Sequence, residues 1–218
     1  MISILLAVYN GEKYINQSID SIINQTFKDW ELLIGFNGTT DGSKDIVSSY
    51  SDERIKIFDF GKDKGKAKTL NKLIKEAKYD WCAIQDDDDI WLPEKLEKQF
   101  YQLDYFDVVG TLITYIDENN THHGSPNLAT DHEKIKSKSL SGINQIANSS
   151  SVFYKQDALD IGGWDESLDG IEDYDFWIKL LRKGCLFYNT PECLVLHRIH
   201  KDSNFNTKQY SLSEILRC

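Results

Sequence analysis

The 218 residues suffice for one sizeable core, and 40% hydrophobic with 28% charged residues is the make-up of an ordinary globular domain. A formal charge of −10 argues against a nucleic-acid partner and against an anionic membrane surface, since both require a basic face. No apolar stretch is long enough to span a bilayer; the longest, Ile4 to Tyr9, has the length of one buried strand.

Met1 leads directly into that strand with no basic n-region or cleavage site, so no signal peptide is expected. The 4 cysteines, Cys82, Cys185, Cys193 and Cys218, are scattered and form no CxxC pair. Redox and cysteine-based metal chemistry are therefore not expected, and a reducing cytoplasmic setting is.

In chain order, Ile2 to Tyr9 is expected as a buried strand, and Tyr14, Ile15, Ser18, Ile19, Ile22 and Ile23 repeat at helical spacing. Trp30 to Phe36 is a second strand, followed by the turn-rich Asn37 to Gly42 and a short helix. Arg54 to Phe60 is a third strand; Leu70, Leu73, Ile74 and Ala77 mark a helix, and Trp81 to Gln85 a fourth strand. Pro93 suits the opening of another helix carrying Leu96, Phe100 and Leu103, because its missing N–H is not needed there. Strands alternating with helices predict βαβ units and a mostly parallel sheet. From Asp107 onward the pattern changes: strand at Phe106 to Tyr115, a polar stretch at Glu118 to Leu128, then strand, helix and strand at Ser151 to Tyr154, Glu172 to Lys183 and Cys185 to His197. This second half is expected as mixed sheet on the same core, giving an α/β single domain without repeats or linkers.

Ligands of open parallel sheets bind at the carboxyl ends of the strands. Three expected strands end there in Tyr9-Asn10, Asn37-Gly38 and Asp86-Asp87-Asp88-Asp89. Adjacent carboxylates repel one another and raise each other's pKa unless a cation is present. On an extended backbone Asp86 and Asp88 face one side and Asp87 the other, so two carboxylates can reach Mg²⁺ or Mn²⁺ and leave sites for phosphate oxygens. The alternative is a solvated acidic loop ahead of the Pro93 helix. In Glu172 to Trp177 the helical phase sets Asp173 within the apolar face of Phe176, Trp177, Leu180 and Leu181. Asp175 falls on the polar face opposite Lys179, and Glu172 at the boundary. An inward carboxylate needs partners or work, so Asp173 is either a general base or a cap of the helix N-terminus. Tyr9 is either a stacking platform for a base or a core residue. Trp164 is either core packing or a platform for a sugar ring. The lysines from Lys62 to Lys78 are mostly a solvated helix face, although one of them could reach a diphosphate, and His197 and His200 stay open between structural and functional roles.

These segments, in this order, resemble the family 2 glycosyltransferases of GT-A fold, a Rossmann-like mixed, mostly parallel sheet flanked by helices. Ala7 to Glu12 resembles that family's "PVYN-x-E" opening, and Asn24 to Glu31 its "NQT(Y/F)-x-(D/N)-(F/W)-E" stretch. Ala67 to Asn71 is similar to "AKALN", and Asp86 to Leu96 to "DSDDIWLPEKL". Gly162 to Leu168 with Glu172 to Trp177 resembles "GG(F/W)DESL…EDYDLW", and His197-Arg198-Ile199-His200 with Ser203 a closing "YR-x-H-x-x-S" element. The resemblance implies a single catalytic domain over 1–218, with a nucleotide-sugar half at 1–105 and an acceptor half at 106–218. It implies that the Ala7 backbone, Tyr9 and Asn37 hold the base, with Lys68 nearby, and that Asp86 and Asp87 contact the donor. Asp88 and His200 would hold Mn²⁺ or Mg²⁺, Asp173 would be the base, and Glu172 and Trp164 would lie near sugar or acceptor. The implied reaction is inverting transfer from a nucleotide sugar, a UDP-sugar by preference, to an acceptor hydroxyl.

Where many relatives read "DDGSTD", this chain reads Phe36-Asn37-Gly38-Thr39-Thr40-Asp41. An amide both donates and accepts, so Asn37 suits uracil or another base. The processive "QRRW" segment is absent, which favours single addition. A nucleotidyltransferase is the second reading, although no glycine-rich basic phosphate loop follows the first strand. A non-catalytic nucleotide-sugar or glycan-binding protein is the third.

Overall fold

The computed structural model describes residues 1–62, 65–168 and 170–201. One mixed sheet of eight strands runs through it in the order β3-β2-β1-β4-β7-β6-β8-β5. Its first half comprises β1 (Ile2–Val8), β2 (Trp30–Phe36), β3 (Ile55–Asp59) and β4 (Trp81–Gln85), paired in parallel throughout. The helices α1 (Ile15–Ile23), α2 (Ser43–Ser48) and α3 (Lys66–Glu76) make the crossovers. Alternation along β1 explains the layering. Leu5 faces α3 with Ala67, Leu70, Leu73 and Ile74, whereas Ile4 and Leu6 face α1 with Ile15, Ile19 and Ile22.

Beyond β4 come β5 (Ile90–Trp91), α4 (Lys95–Phe100), β6 (Val108–Ile116), α5 (His132–Leu140), β7 (Val152–Tyr154), α6 (Lys155–Asp160), α7 (Glu172–Lys183) and β8 (Phe187–Arg198). β7 pairs antiparallel with both β4 and β6, so the second half continues the sheet of the first instead of forming its own. α7 carries the largest aromatic cluster: Trp164 lies 4.2 Å from Phe176 in parallel, and both meet Phe153 edge-on. Gly184, at φ 98, ends α7 in the left-handed conformation that glycine adopts without a side-chain clash.

The sequence-based elements stand with shifts of a few residues, but three were missed. Strand β5 has only two residues and depends on pairing with β8. α5 buries only Ile135 and Ser139, and α6 only Ala158, so neither shows a legible apolar period.

Candidate active site

Strand order reverses between β1 and β4, and the loops leaving the carboxyl ends of β1, β2 and β4 converge there. They open on a cavity of about 1280 Å³, more than the ~300–1,000 Å³ of a pocket for one small ligand.

The β1 loop supplies Ala7 and Tyr9; the Tyr9 ring is 45% exposed in the cavity wall, not a core residue. Asn10 takes φ 56, and its Oδ1 accepts a hydrogen bond from the Thr40 amide at 2.9 Å, tying the β1 and β2 loops together. Glu12 and Asp41 brace the same junction: the Glu12 N–H donates to Asp41, and the Gly42 N–H to Glu12. Between these braces sits Asn37, only 3% exposed and lining the cavity, with an Oδ1 that has no hydrogen-bond partner among the described residues. A buried acceptor left unpaired costs about 1–3 kcal/mol, so this oxygen suits a ligand donor.

The acidic run does not continue β4. The strand stops at Gln85, and Asp89 N–H turns back to the Asp86 carbonyl at 3.3 Å. The expected alternation of Asp86 and Asp88 against Asp87 is therefore corrected: a turn sends all three into the cavity wall, and Asp89 alone goes inward. Gly11 permits this close approach, since a Cβ there would collide with the Asp87 carboxylate. Asp86 is held by the Lys66 ammonium at 2.5 Å and by the Asn148 amide at 3.1 Å. Burial, then Asp88 and Asp86, push the Asp87 carboxyl up. Burial also raises Asp88, against the pull of His200, whose Nε2 lies 3.0 Å from Asp88 Oδ2. Burial opposes the charge on Lys66, but Asp86, Glu172 and Asp173 outweigh it and raise its pKa. Three carboxylates, one ammonium and one imidazole leave a surplus of negative charge and of oxygen donors. That donor set fits a hard divalent ion such as Mg²⁺ or Mn²⁺.

Asp89 anchors the turn from behind. It is fully buried and accepts from the Ser149 hydroxyl, from Arg198 N–H at 2.8 Å, and from His197 Nδ1 at 2.9 Å. Burial opposes ionisation, but His197 and these donors hold its carboxyl below the usual range.

The other wall is the first turn of α7. Glu172 is 6% exposed, and its carboxylate accepts from Gly170 N–H at 2.6 Å. Asp173 lines the cavity two residues into the helix and receives the Asn144 Nδ2 at 3.3 Å. Burial, then the neighbouring Glu172, push its carboxyl up to about 7, with Lys66 opposing. A carboxyl poised near neutrality can take up a proton at physiological pH. Asp175 pairs with Lys179 at 2.7 Å, as their spacing of four implied, although the Asp175 side chain is largely buried.

The cavity thus gathers Ala7, Tyr9, Asn37, Asp86, Asp87, Asp88, Glu172, Asp173 and His200. Two expected residues fall outside its lining. Lys68 is partly buried on α3 beside Gly65; Lys66, two residues earlier, shares the face of Leu70 and Leu73 and reaches Asp86. Trp164 is 2% exposed and stacked on Phe176, so it is core and not a sugar platform. Sequence reasoning passed over Asn144 and Asn148 and did not single out Lys66 among the lysines from Lys62 to Lys78; only Lys66 carried a signal, its spacing of four and seven from the two buried leucines. Ser203 and Cys218 lie outside the described residues. A separate grouping of Asp107, Asp157 and Cys185 at the opposite end of β6 and β8 is already occupied: Asp157 binds Lys183, and burial pushes the Cys185 thiol up to about 12.

Comparisons with known proteins identify the family and the fold. The family model described as "Glycosyl transferase family 2" matches residues 3–162. The chain is 35% identical to the O-antigen biosynthesis glycosyltransferase WbnJ of Escherichia coli, over 100% of this chain and 89% of that protein. Among solved structures, S. aureus TarS 1–349 in complex with UDP-GlcNAc superposes with a TM-score of 0.81 at 18% identity, covering 99% of this chain and 64% of that one. A Pyrobaculum calidifontis mannosyltransferase in complex with GDP-Man and Mn²⁺ gives 0.71 at 16% identity, covering 93% of this chain and 58% of that one. These two likenesses concern the fold, which is GT-A. With a family model spanning most of the chain and a 35%-identical relative matched nearly end to end, the chain belongs to glycosyl transferase family 2 and is a glycosyltransferase.

Proposed function

We propose that the cleft transfers one sugar, with inversion, from a nucleotide sugar to an acceptor hydroxyl, assisted by a divalent cation. The observation that carries this reading is that one cavity is lined by two sets of carboxylates from different elements: Asp86, Asp87 and Asp88 after β4, and Asp173 in the first turn of α7. The first is over-charged in a way that suits a cation; the second is tuned to exchange a proton near pH 7. Tyr9, Asn37 and the Ala7 backbone line the donor end, where Asn37 Oδ1 is free to accept from a base N–H. A uracil base is the preferred fit, and the solved relative that binds UDP-GlcNAc supports it.

Asp88 and His200 would hold Mn²⁺ or Mg²⁺ beside Asp86 and Asp87. Bound there, the ion would neutralise charge on a departing diphosphate, and the structural relative solved with GDP-Man and Mn²⁺ supports such use. Lys66 adds a fixed positive charge between the two walls. Asp173 would take the acceptor proton as the hydroxyl oxygen attacks the anomeric carbon, and Glu172 would steady the sugar or acceptor. The volume suits a donor together with the tip of an acceptor. We further propose one catalytic domain over 1–218, its donor half at 1–105 and its acceptor half at 106–218. No helix of the described residues is long and apolar enough to cross a membrane. The free cysteines Cys82, Cys185 and Cys193 suit a reducing cytoplasm.

Incubation with Mn²⁺ and a panel of nucleotide sugars tests this function by release of nucleotide diphosphate. Slow, metal-dependent donor hydrolysis is expected; binding without turnover of any donor would leave the non-catalytic reading in its place.

A further inference from the structure

The segment between α5 and β7 enters the cleft with two asparagines four residues apart. Asn148 binds Asp86 on the donor wall, and Asn144 binds Asp173 on the other. Asn144 cannot readily turn its amide over. Its Oδ1 accepts the Ile146 N–H at 3.1 Å, which fixes the orientation in which Nδ2 faces Asp173 Oδ2. The next residue, Gln145, is 1% exposed and fastens the segment to the core: its Oε1 accepts from Ala129 N–H at 2.9 Å, and its carbonyl accepts from Asn189 Nδ2 at 2.9 Å. A rigid mount thus presents one oriented N–H to one oxygen of the carboxylate.

We propose that Asn144 is a positioning residue for the base: it grips Asp173 Oδ2 and leaves Oδ1 to receive the acceptor proton. The proposal rests on the reading of Asp173 as that base. Binding one oxygen fixes the plane of the carboxylate, and an N–H donor favours the charged form. Asn144 thereby offsets part of the burial that disfavours ionisation. The other charged groups acting on Asp173 are Glu172 on its own helix, Lys66 from α3 and Asp86 from the end of β4. Glu172 and Asp86 oppose its ionisation and Lys66 favours it, while the Tyr174 N–H and the Asn144 amide are neutral donors to the carboxylate.

The experiment compares Asn144→Ala, Gln145→Ala and Asp173→Asn with the wild-type chain. The Asp173 carboxyl is titrated by NMR with ¹³C-labelled aspartate, its resonance assigned by its absence in Asp173→Asn, and donor hydrolysis is followed against pH. For Asn144→Ala the expected result is a carboxyl titrating about one pH unit higher, because a donor to a charged group has been removed. The acid limb of the rate profile moves by the same amount, kcat falls about fivefold at pH 7, and KM for the donor is unchanged. Gln145→Ala, which loosens the mount without removing the donor, serves as the control for a general loss of loop order. Equal shifts in both variants, or an unmoved titration in Asn144→Ala, would overturn the proposal. Full activity in Asp173→Asn would instead remove the base assignment itself, an outcome distinguishable because the NMR titration does not depend on turnover.

Discussion

His197 Nδ1 lies 2.9 Å from Asp89 Oδ2, joining the end of β8 to the back of the acidic turn through a pair closed off from solvent on the aspartate side. The turn that aims Asp86, Asp87 and Asp88 therefore depends on Asp89, which is fully buried behind the cleft. Asp89→Ala leaves His197, Ser149 and Arg198 N–H without their acceptor. A loss of about 3–5 kcal/mol is expected, as for other broken buried pairs, and urea unfolding measures it. A loss under 1 kcal/mol would show that the turn holds its shape without this anchor.

Asp88→Ala should abolish the metal-dependent part of nucleotide binding while leaving the fold intact, because Asp88 is partly exposed and its direct partner is His200. Calorimetric titration of nucleotide diphosphate with and without Mn²⁺ checks this. Undiminished Mn²⁺-dependent affinity would place the cation elsewhere.

Trp164→Ala should cost about 3–5 kcal/mol in stability, the range for emptying a buried aromatic site, since Trp164 stacks on Phe176 and touches Phe153. Donor and acceptor preference in the residual folded protein should not change. A selective loss of one sugar with full stability would restore the platform role.

Asp173 should destabilise the fold it serves. Its pKa rises from 3.8 to about 7 on folding, so the unfolded chain releases its proton first. Stability then falls as pH rises from about 4 to 7 and levels off above that. Asp173→Asn removes this loss, and its unfolding free energy from urea titration should exceed that of the wild type by more at pH 8 than at pH 5, by up to a few kcal/mol. Equal midpoints at both pH values would mean that the carboxyl titrates normally.

Much of this was legible beforehand, for identifiable reasons. Ile4 to Val8 and Leu32 to Phe36 are continuous apolar runs, as expected of strands buried on both faces. Asp173 stood out because helical phase set a charge among Phe176, Trp177 and Leu180. What failed were inferences that extended a local rule past its element. Alternation was carried into Asp86 to Asp89 although the strand ends at Gln85. Lys66 was not singled out, although it shares the period of Leu70 and Leu73 and reaches Asp86. Asn144 and Asn148 lie in a polar segment with no period, and their roles come only from long-range contacts to α7 and β4.

The central claim is that Asp173 works as the base opposite a donor held by the acidic turn. Its most direct test is the turnover of Asp173→Asn measured beside its donor affinity, at pH 8 with Mn²⁺, using the nucleotide sugar that the wild type consumes. The account predicts unchanged donor affinity and a kcat lower by about 10²–10⁴-fold, with wild-type activity declining below pH 7 as the carboxyl is protonated. Wild-type kcat in Asp173→Asn would contradict it.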